Sequence, residues 1–124
     1  MSRSILIIED EPALRVLLKD YLEFEGFTVR VAQDGSTALS LAQQEDFALA
    51  FVDINLPDIT GDEVIRTLRE RGSTALLVIL SGNLRESFED RIKDLDVYRV
   101  LEKPVDLEVL SALATEAVDK RLAG

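Results

Sequence analysis

Charged and hydroxyl side chains mark the ends of several apolar runs in this sequence. Glu9 and Asp10 follow the first run, Asp53 follows the third, Ser81 the fourth, and Lys103 comes shortly after the fifth. An ionised carboxylate that emerges from a buried segment is unfavourable unless it is paired, bound to a metal or hydrated. These residues are therefore candidates for one shared site, in which a neighbouring group or a bound ion compensates each charge.

The chemistry predicted for such a site is phosphoryl transfer assisted by a divalent cation. Three carboxylates held together repel one another and need a positive counter-charge. Mg²⁺ suits a site of oxygen ligands and also accepts a phosphate oxygen. An aspartate beside that cation, a lysine and a hydroxyl can attack phosphorus, because the positive groups neutralise the phosphoryl oxygens. Asp53 is the candidate nucleophile, and Lys103 and Ser81 would contact the incoming group.

Each of these residues also has an ordinary structural explanation when it is taken alone. The acids after the first run could stabilise the start of the following helix, and Asp53 could be a turn residue. Ser81 with Gly82 also resembles a turn, and Lys103 could be a solvated charge beside Pro104. Turn chemistry alone explains their joint occurrence at four strand ends poorly, so the pattern favours a site.

The elements that must position these residues alternate between short apolar strands and amphipathic helices. Strands are predicted at residues 4–8, 27–32, 47–52, 75–80 and 97–101. Helices are predicted from Pro12 to near Gly26, after Gly35, over residues 62–71 with Gly72 as the cap, after Asn83 with the stripe Leu84, Phe88, Ile92 and Leu95, and from about residue 106 to 122. Parallel strands need helical crossovers. The pattern therefore predicts an α/β fold: a doubly wound, five-stranded parallel sheet of order 2-1-3-4-5, with the flavodoxin-like (βα)₅ topology.

Composition excludes several classes of chemistry. The 124 residues are enough for one domain with one sizeable core, and they include neither cysteine nor histidine. Thiolate and imidazole metal sites and Ser-His catalysis are therefore excluded. The net charge of −10 repels nucleic-acid phosphates, so direct nucleic-acid binding is not expected. No apolar run reaches the length of a membrane span, and we expect a cytoplasmic protein without membrane insertion.

Four segments together resemble the receiver domain of bacterial two-component response regulators. They are IIEDE after the first predicted strand, FVDINLPDITG around the third, ILSGN after the fourth and LEKPV after the fifth. The resemblance covers essentially the full length and implies one receiver domain over residues 1–124. No output domain is visible after residue 122, so we expect a receiver that acts alone or belongs to a longer chain.

The resemblance implies a role for each residue of the acidic group. Glu9 and Asp10 match the acidic pair that positions Mg²⁺, and Asp53 matches the phosphoacceptor, which is also a metal ligand. Asn55 would contribute its backbone carbonyl to the metal. Glu9 stands where the family often has aspartate, so its longer side chain would contact the metal through a bridging water.

The resemblance also implies roles around the acidic group. Ser81 matches the switch hydroxyl, Lys103 the lysine that pairs with the phosphoryl group, and Pro104 a proline that typically follows a cis peptide bond. Pro57 and Gly61 match the turn that shapes the phosphorylation loop.

One position departs from the family pattern at the output side of the predicted sheet. The residue three before the lysine is usually Tyr or Phe, and here it is Val100. Tyr98 lies two residues earlier on the same strand face. The inward movement of an aromatic side chain toward the displaced hydroxyl is therefore not expected at Val100, and we expect atypical coupling to a downstream partner.

The function implied is a phosphoacceptor in a two-component phosphorelay, acting as a single-domain switch or a phosphate sink. The phosphodonor must be another protein, a histidine kinase or a histidine phosphotransfer protein, because this chain has no histidine. We expect no enzyme activity beyond self-catalysed phosphoryl transfer and dephosphorylation. The alternatives are a pseudo-receiver that binds partners without phosphorylation and, less well supported, a phosphatase of the haloacid-dehalogenase type. The latter usually has aspartate where this chain has Asn55.

Overall fold

The computed structural model describes residues 4–82 and 89–123, and these form a single parallel sheet with helices on both faces. The strands are β1 Ser4–Ile8, β2 Thr28–Ala32, β3 Leu49–Asp53, β4 Leu76–Ser81 and β5 Arg99–Glu102. The helices are α1 Pro12–Phe24, α2 Gly35–Gln44, α3 Gly61–Glu70, α4 Glu89–Ile92 and α5 Leu107–Ala123. The strand order is β2-β1-β3-β4-β5, which confirms the predicted fold class and topology.

The central strands are buried on both faces because their side chains alternate between two apolar cores. Ile7, Phe51 and Val78 are register neighbours across β1, β3 and β4, and their side chains point to the core covered by α1 and α5. Ile8 and Val52 point to the other core, which α2 and α3 cover. This double burial explains why these strands are continuous aliphatic runs. It also leaves their carboxyl ends as the place where polar residues can emerge.

Most predicted boundaries agree with the structure to within one or two residues. β3 and β4 each end one residue later than predicted, so Asp53 and Ser81 are the last residues of their strands and remain in the sheet. β5 begins at Arg99 and not at residue 97, although the Tyr98 N–H already donates to the Leu77 carbonyl. Gly72 has a φ of 86°, and its N–H donates to the Arg69 carbonyl after α3 ends. This confirms the predicted glycine cap.

The fourth helix ends before the last residue of its predicted stripe. Leu84 and Phe88 lie outside the described residues, and α4 ends at Ile92. Leu95 is buried, but it belongs to the turn that follows, where the Leu95 N–H donates to the Ile92 carbonyl. Asp96 then has a φ of 56°, a left-handed conformation that stops any continuation of the helix. No helix in residues 4–82 and 89–123 is both long and apolar enough to cross a bilayer.

Arg69 links three segments of backbone at the end of α3. Its Nη1 donates to the carbonyls of Ser73 (3.0 Å) and Ala75 (2.9 Å), which lie between α3 and β4. Its Nη2 donates to the Asp96 carbonyl (3.2 Å) and its Nε lies 3.4 Å from the Leu95 carbonyl. The planar guanidinium therefore donates to carbonyls in both the α3–β4 and the α4–β5 connections, a geometry that an ammonium cannot reproduce.

Arg69→Lys is expected to lower the free energy of unfolding by about 1–2 kcal/mol, because several half-buried carbonyls lose their donors. Urea unfolding of the purified chain measures this loss. Arg66→Lys is the matched control, since exposed Arg66 makes one longer contact, 3.3 Å to the Arg91 carbonyl. It is expected to change stability by less than about 0.5 kcal/mol. Equal losses of unfolding free energy in the two variants would contradict a stabilising role for the hydrogen bonds from Arg69 to the four carbonyls.

Candidate functional site

The sheet order brings the polar strand ends together at one edge. Asp53 pairs with Leu80 in the β3–β4 register, and Ile8 pairs with Val52, so Glu9 emerges beside Asp53. On the other side, Lys103 follows the end of β5. Its N–H donates to the Ser81 carbonyl over 2.8 Å, which continues the β4–β5 ladder by one further bond. The predicted convergence of these residues is therefore present in the fold.

An acidic trio forms the base of the site. Glu9, Asp10 and Asp53 each offer one carboxylate oxygen, and these three atoms lie within 4.8 Å of one another. Glu9 is completely buried, Asp53 is 4% exposed, and Asp10 is exposed to solvent. Two buried acids beside each other repel strongly unless a positive charge lies between them. These three residues could hold a metal ion.

Lys103 supplies part of the compensating charge. Its Nζ lies 2.7 Å from Glu9 Oε1 and 3.4 Å from Asp53 Oδ2. Burial alone would lower the pKa of Lys103, but the contact with Glu9 and the charges of Asp53 and Glu9 outweigh burial, and the net pKa shift is upward. The lysine is therefore held in its charged form by the acids that it neutralises.

The compensation by Lys103 is incomplete. Its one positive charge faces the carboxylates of Glu9, Asp10 and Asp53. Glu9 Oε1 is the atom that Lys103 Nζ contacts at 2.7 Å, and the other oxygen, Oε2, accepts from the Glu11 N–H over 3.2 Å. The acidic trio, with this excess of negative charge, fits an oxygen-ligated divalent cation such as Mg²⁺.

Burial and neighbouring charges together set the protonation of Asp53. Burial is the largest cause that raises the pKa of Asp53, and the neighbouring Glu9 raises it further. The Asn55 N–H, which donates to Asp53 Oδ1 over 3.0 Å, and the Lys103 charge lower this pKa. The balance is a pKa raised to about 7. In the absence of a metal, a proton would bind to Asp53 near neutral pH where a divalent cation could otherwise bind.

The loop after Asp53 is held tightly against the strand end. The Gly61 N–H donates to the Ile54 carbonyl over 2.9 Å. A Cβ at Gly61 would lie 2.5 Å from the Asp53 carbonyl oxygen and 2.8 Å from the Ile54 Cα, so only glycine fits. Asn55 lies at the rim, where its N–H meets Asp53. The proposed role of its carbonyl as a metal ligand stays a prediction.

The remaining predicted residues lie on the β4–β5 side of the site. Ser81 is completely buried at the end of β4, and the Lys103–Pro104 peptide bond is cis, as the resemblance implies. Val100 is exposed, and Tyr98 packs partly buried against the core covered by α1 and α5. The Arg99 guanidinium lies 4.5 Å from the centre of the Tyr98 ring. The departure at Val100 therefore leaves no aromatic side chain at that strand position.

Two contacts near the site have no signal in the sequence. Arg15 donates from Nη1 to the backbone carbonyls of Glu9 (2.9 Å) and Asp10 (3.4 Å), and so supports the turn that presents both acids. Asp58 makes a set of hydrogen bonds to the start of α2. Neither contact follows from hydrophobic periodicity or from a recognisable spacing, because both depend on how separate elements meet.

Asp53→Asn is expected to stabilise the metal-free protein more at pH 8 than at pH 5. The pKa of Asp53 is about 7 in the folded state and about 3.8 in the unfolded chain, so the folded state binds the extra proton between these values. The stability that this proton contributes is complete below about pH 4 and is lost as the pH rises through 7. Allowing for solvent screening at the open site, the variant should gain about 1–2 kcal/mol at pH 8.

Urea unfolding in a chelator at both pH values measures that difference. Asp20→Asn, which changes an exposed acid on α1, is the control and should show no pH-dependent gain. A stability difference between Asp53→Asn and the native chain that is the same at pH 5 and pH 8 would contradict the raised pKa.

Comparisons with known proteins agree with the geometry. The family model described as the response regulator receiver domain matches residues 5–115. The transcriptional regulatory protein SrrA of Staphylococcus aureus is 35% identical over 117 residues, which are 91% of this chain and 48% of SrrA. The chain thus spans about half the length of this relative.

Solved structures of similar proteins share the whole architecture. A CheY-like response regulator receiver domain protein from Methanospirillum hungatei is 25% identical with a TM-score of 0.89, and the match covers 100% of both chains. The response regulator TrrA from Thermotoga maritima, solved in complex with Mg²⁺ and BeF, is 26% identical with a TM-score of 0.81 over 94% of this chain and 99% of TrrA. The match of the family model over residues 5–115, with sequence and structural likeness across nearly the whole chain, shows that this protein belongs to the response regulator receiver domain family of two-component signalling.

Proposed function

We propose that this receiver accepts a phosphoryl group on Asp53, with Mg²⁺ held by the carboxylates of Glu9, Asp10 and Asp53 and by the backbone carbonyl of Asn55. The observation that carries the proposal is the acidic trio, whose oxygens lie within 4.8 Å of one another while one lysine contacts two of the acids. Mg²⁺ would neutralise charge on the phosphoryl oxygens and lower the repulsion among the acids. The similar response regulator TrrA was solved in complex with Mg²⁺ and BeF, which supports the proposal.

The transfer step uses an Asp53 oxygen as the nucleophile. A carboxylate oxygen forms the new bond to phosphorus while the bond between phosphorus and the donor's imidazole nitrogen breaks. The electron pair of that bond remains on the nitrogen that carried phosphorus, and the ring leaves as neutral imidazole because its other nitrogen carries a proton taken from solvent. The Asn55 N–H fixes Oδ1 of Asp53, and the Lys103 ammonium lies at Oδ2. These contacts orient the carboxylate before the donor arrives.

Lys103 and Ser81 would hold the phosphoryl group after transfer. The Lys103 ammonium is already 3.4 Å from Asp53, so a small movement would pair it with a phosphoryl oxygen. Ser81 ends the strand next to β3 and offers a hydroxyl donor. The hydrogen bond from the Lys103 N–H to the Ser81 carbonyl couples the two residues through the backbone.

The phosphodonor is proposed to be a phosphohistidine on a histidine kinase or a phosphotransfer protein, because this chain contains no histidine. We also propose that residues 1–124 form one receiver domain, whose phosphorylation shifts the segment after Ser81 and so changes affinity for a protein partner. With Val100 at the usual aromatic position, this coupling would differ from that of typical relatives. A role as a phosphate sink fits weak coupling equally well.

The two alternatives receive less support. The family match and the presence of Asn55 two residues after Asp53 do not favour a phosphatase of the haloacid-dehalogenase type. A pseudo-receiver would not need the intact set of Glu9, Asp10, Asp53 and Lys103, all of which meet at one site. Phosphorylation of the purified chain separates these possibilities.

Incubation with a small-molecule phosphodonor and Mg²⁺ is expected to add one phosphoryl group to the native chain, because Asp53 is the acid oriented for attack. Intact-mass measurement detects the addition. Asp53→Asn should show no addition, since the amide cannot act as the nucleophile, whereas the exposed-acid control Asp20→Asn should behave like the native chain. No mass increase in the native chain, or an undiminished increase in Asp53→Asn, would contradict the proposed acceptor.

Lys103→Ala is expected to slow phosphorylation of Asp53 by about tenfold to a hundredfold, because the ammonium no longer neutralises the phosphoryl oxygens. The same substitution should not weaken Mg²⁺ binding, because it removes a cation that competes for Glu9 and Asp53. Phosphorylation rates from intact mass and Mg²⁺ titration by calorimetry measure both effects. Lys93→Ala, on the exposed surface, is the control. Weaker Mg²⁺ binding with an unchanged rate would contradict this assignment.

A further inference from the structure

The loop between β3 and α3 is attached to a distant helix through the side chain of Asp58. Its Oδ1 accepts from the Gly35 N–H over 2.9 Å, and its Oδ2 accepts from the Ser36 N–H over 2.9 Å and from the Ser36 hydroxyl over 2.7 Å. The Ile59 N–H also donates to Oδ1, over 2.8 Å. Asp58 therefore binds the first turn of α2, more than twenty residues earlier in the chain. The β3–α3 loop, residues 54–60, is called the phosphorylation loop below.

An apolar contact reinforces this attachment. The side chain of Ile59 lies against Gly35, where an added Cβ would overlap Ile59 and come within 2.9 Å of the Val64 side chain. Glycine at position 35 thus allows the loop, α2 and α3 to approach closely. The polar and apolar contacts place residues 58 and 59 in a fixed position against α2.

The start of α2 does not need Asp58 as its cap. Asp34 is the N-cap residue of α2, and its Oδ1 accepts from the Thr37 N–H over 2.8 Å. Asp58 binds different N–H groups of the same turn. The hydrogen bonds from Gly35 and Ser36 hold the pKa of Asp58 well below its usual range, so its carboxylate stays ionised. Two carboxylates at one helix start favour the helix, but only Asp58 belongs to the phosphorylation loop.

The same loop is fixed to the acceptor at its other positions. The Asn55 N–H donates to Asp53 Oδ1, and the Gly61 N–H donates to the Ile54 carbonyl. Asp58 lies three residues after Asn55, so release of Asp58 would free the segment between two fixed points. Asn55 directly precedes that segment, so a change in the segment would act first on the Asn55 carbonyl.

We infer that Asp58 is a positioning residue for the acceptor site: by holding the phosphorylation loop on α2, it fixes the Asn55 backbone beside Asp53 for metal binding and phosphoryl transfer. The inference rests on the proposed function, because it assigns Asn55 and Asp53 their roles in that site. It predicts that Asp58 acts on Mg²⁺ affinity and on phosphorylation without contacting either ligand. A residue that only supported α2 would act on stability alone.

The test compares Asp58→Ala with Asp34→Ala, which removes the other carboxylate at the same helix start. Both variants are expected to lower the urea midpoint, Asp58→Ala by more, because it removes three hydrogen bonds to the first turn of α2 and Asp34→Ala removes one. Only Asp58→Ala should weaken Mg²⁺ binding, by about tenfold in calorimetric titration, as seen when supporting residues of metal sites are removed. Its phosphorylation rate at saturating Mg²⁺ should also fall, whereas Asp34→Ala should keep the native affinity and rate.

Two milder variants keep the test decisive if Asp58→Ala fails to fold. Asp58→Asn retains one acceptor oxygen and should partly restore Mg²⁺ affinity, and Ser36→Ala removes one hydrogen bond and should weaken affinity slightly. Native Mg²⁺ affinity in all Asp58 and Ser36 variants, or equal losses in Asp34→Ala, would overturn the inference. Failure of the native chain to accept a phosphoryl group would instead overturn the proposed function. The two outcomes are distinguishable because the positioning role is measured by the Mg²⁺ affinity of the variants, which does not require phosphorylation.

Discussion

The structure depends on the repulsion between two buried carboxylates, Glu9 and Asp53, at neighbouring strand ends. One half-buried lysine, Lys103, lies against both acids, and its single charge cannot neutralise them together with Asp10. Burial and the neighbouring charge of Glu9 both raise the pKa of Asp53, and the Lys103 charge offsets them only in part. Under the proposed function, a divalent cation would bind in this pocket and would make a further anionic group acceptable there.

The sheet makes this pocket possible because it holds the acids where they cannot separate. β1 and β3 are buried on both faces, so Glu9 and Asp53 emerge from rigid neighbouring strands rather than from mobile loops. Lys103 follows β5, and the hydrogen bond from its N–H to the Ser81 carbonyl fixes the backbone position from which the ammonium contacts the acids. The loop after Asp53 is then fixed at one end by the close packing of Gly61, and in its middle by the hydrogen bond that Asp58 accepts from the start of α2. Strand pairing thus sets the distances, and hydrogen bonds of the loops set the orientations.

Much of the fold and of the site could be predicted from the sequence because both follow from local patterns. Double burial makes β1, β3 and β4 aliphatic, and a charge directly after such a run marks its carboxyl end, which is how Glu9 and Asp53 were found. The hydrogen bonds that Asp58 accepts from α2, and those that Arg69 donates to distant carbonyls, were not predictable. They join residues far apart in sequence through single polar side chains. The end of α4 was also missed, since buried Leu95 continues the helical spacing although the helix stops at Ile92. Burial alone does not distinguish a helix from the turn that follows it.

The most direct test of the central claim is a Mg²⁺ titration followed residue by residue by nuclear magnetic resonance of the backbone amides. Saturable changes in amide chemical shift are expected, and they should be largest at the residues that surround the uncompensated charge: Glu9, Asp10, Asp53, Asn55 and Lys103. Absence of saturable shifts at these positions, or equal shifts at exposed acids such as Asp20 on the outer side of α1, would contradict the central claim.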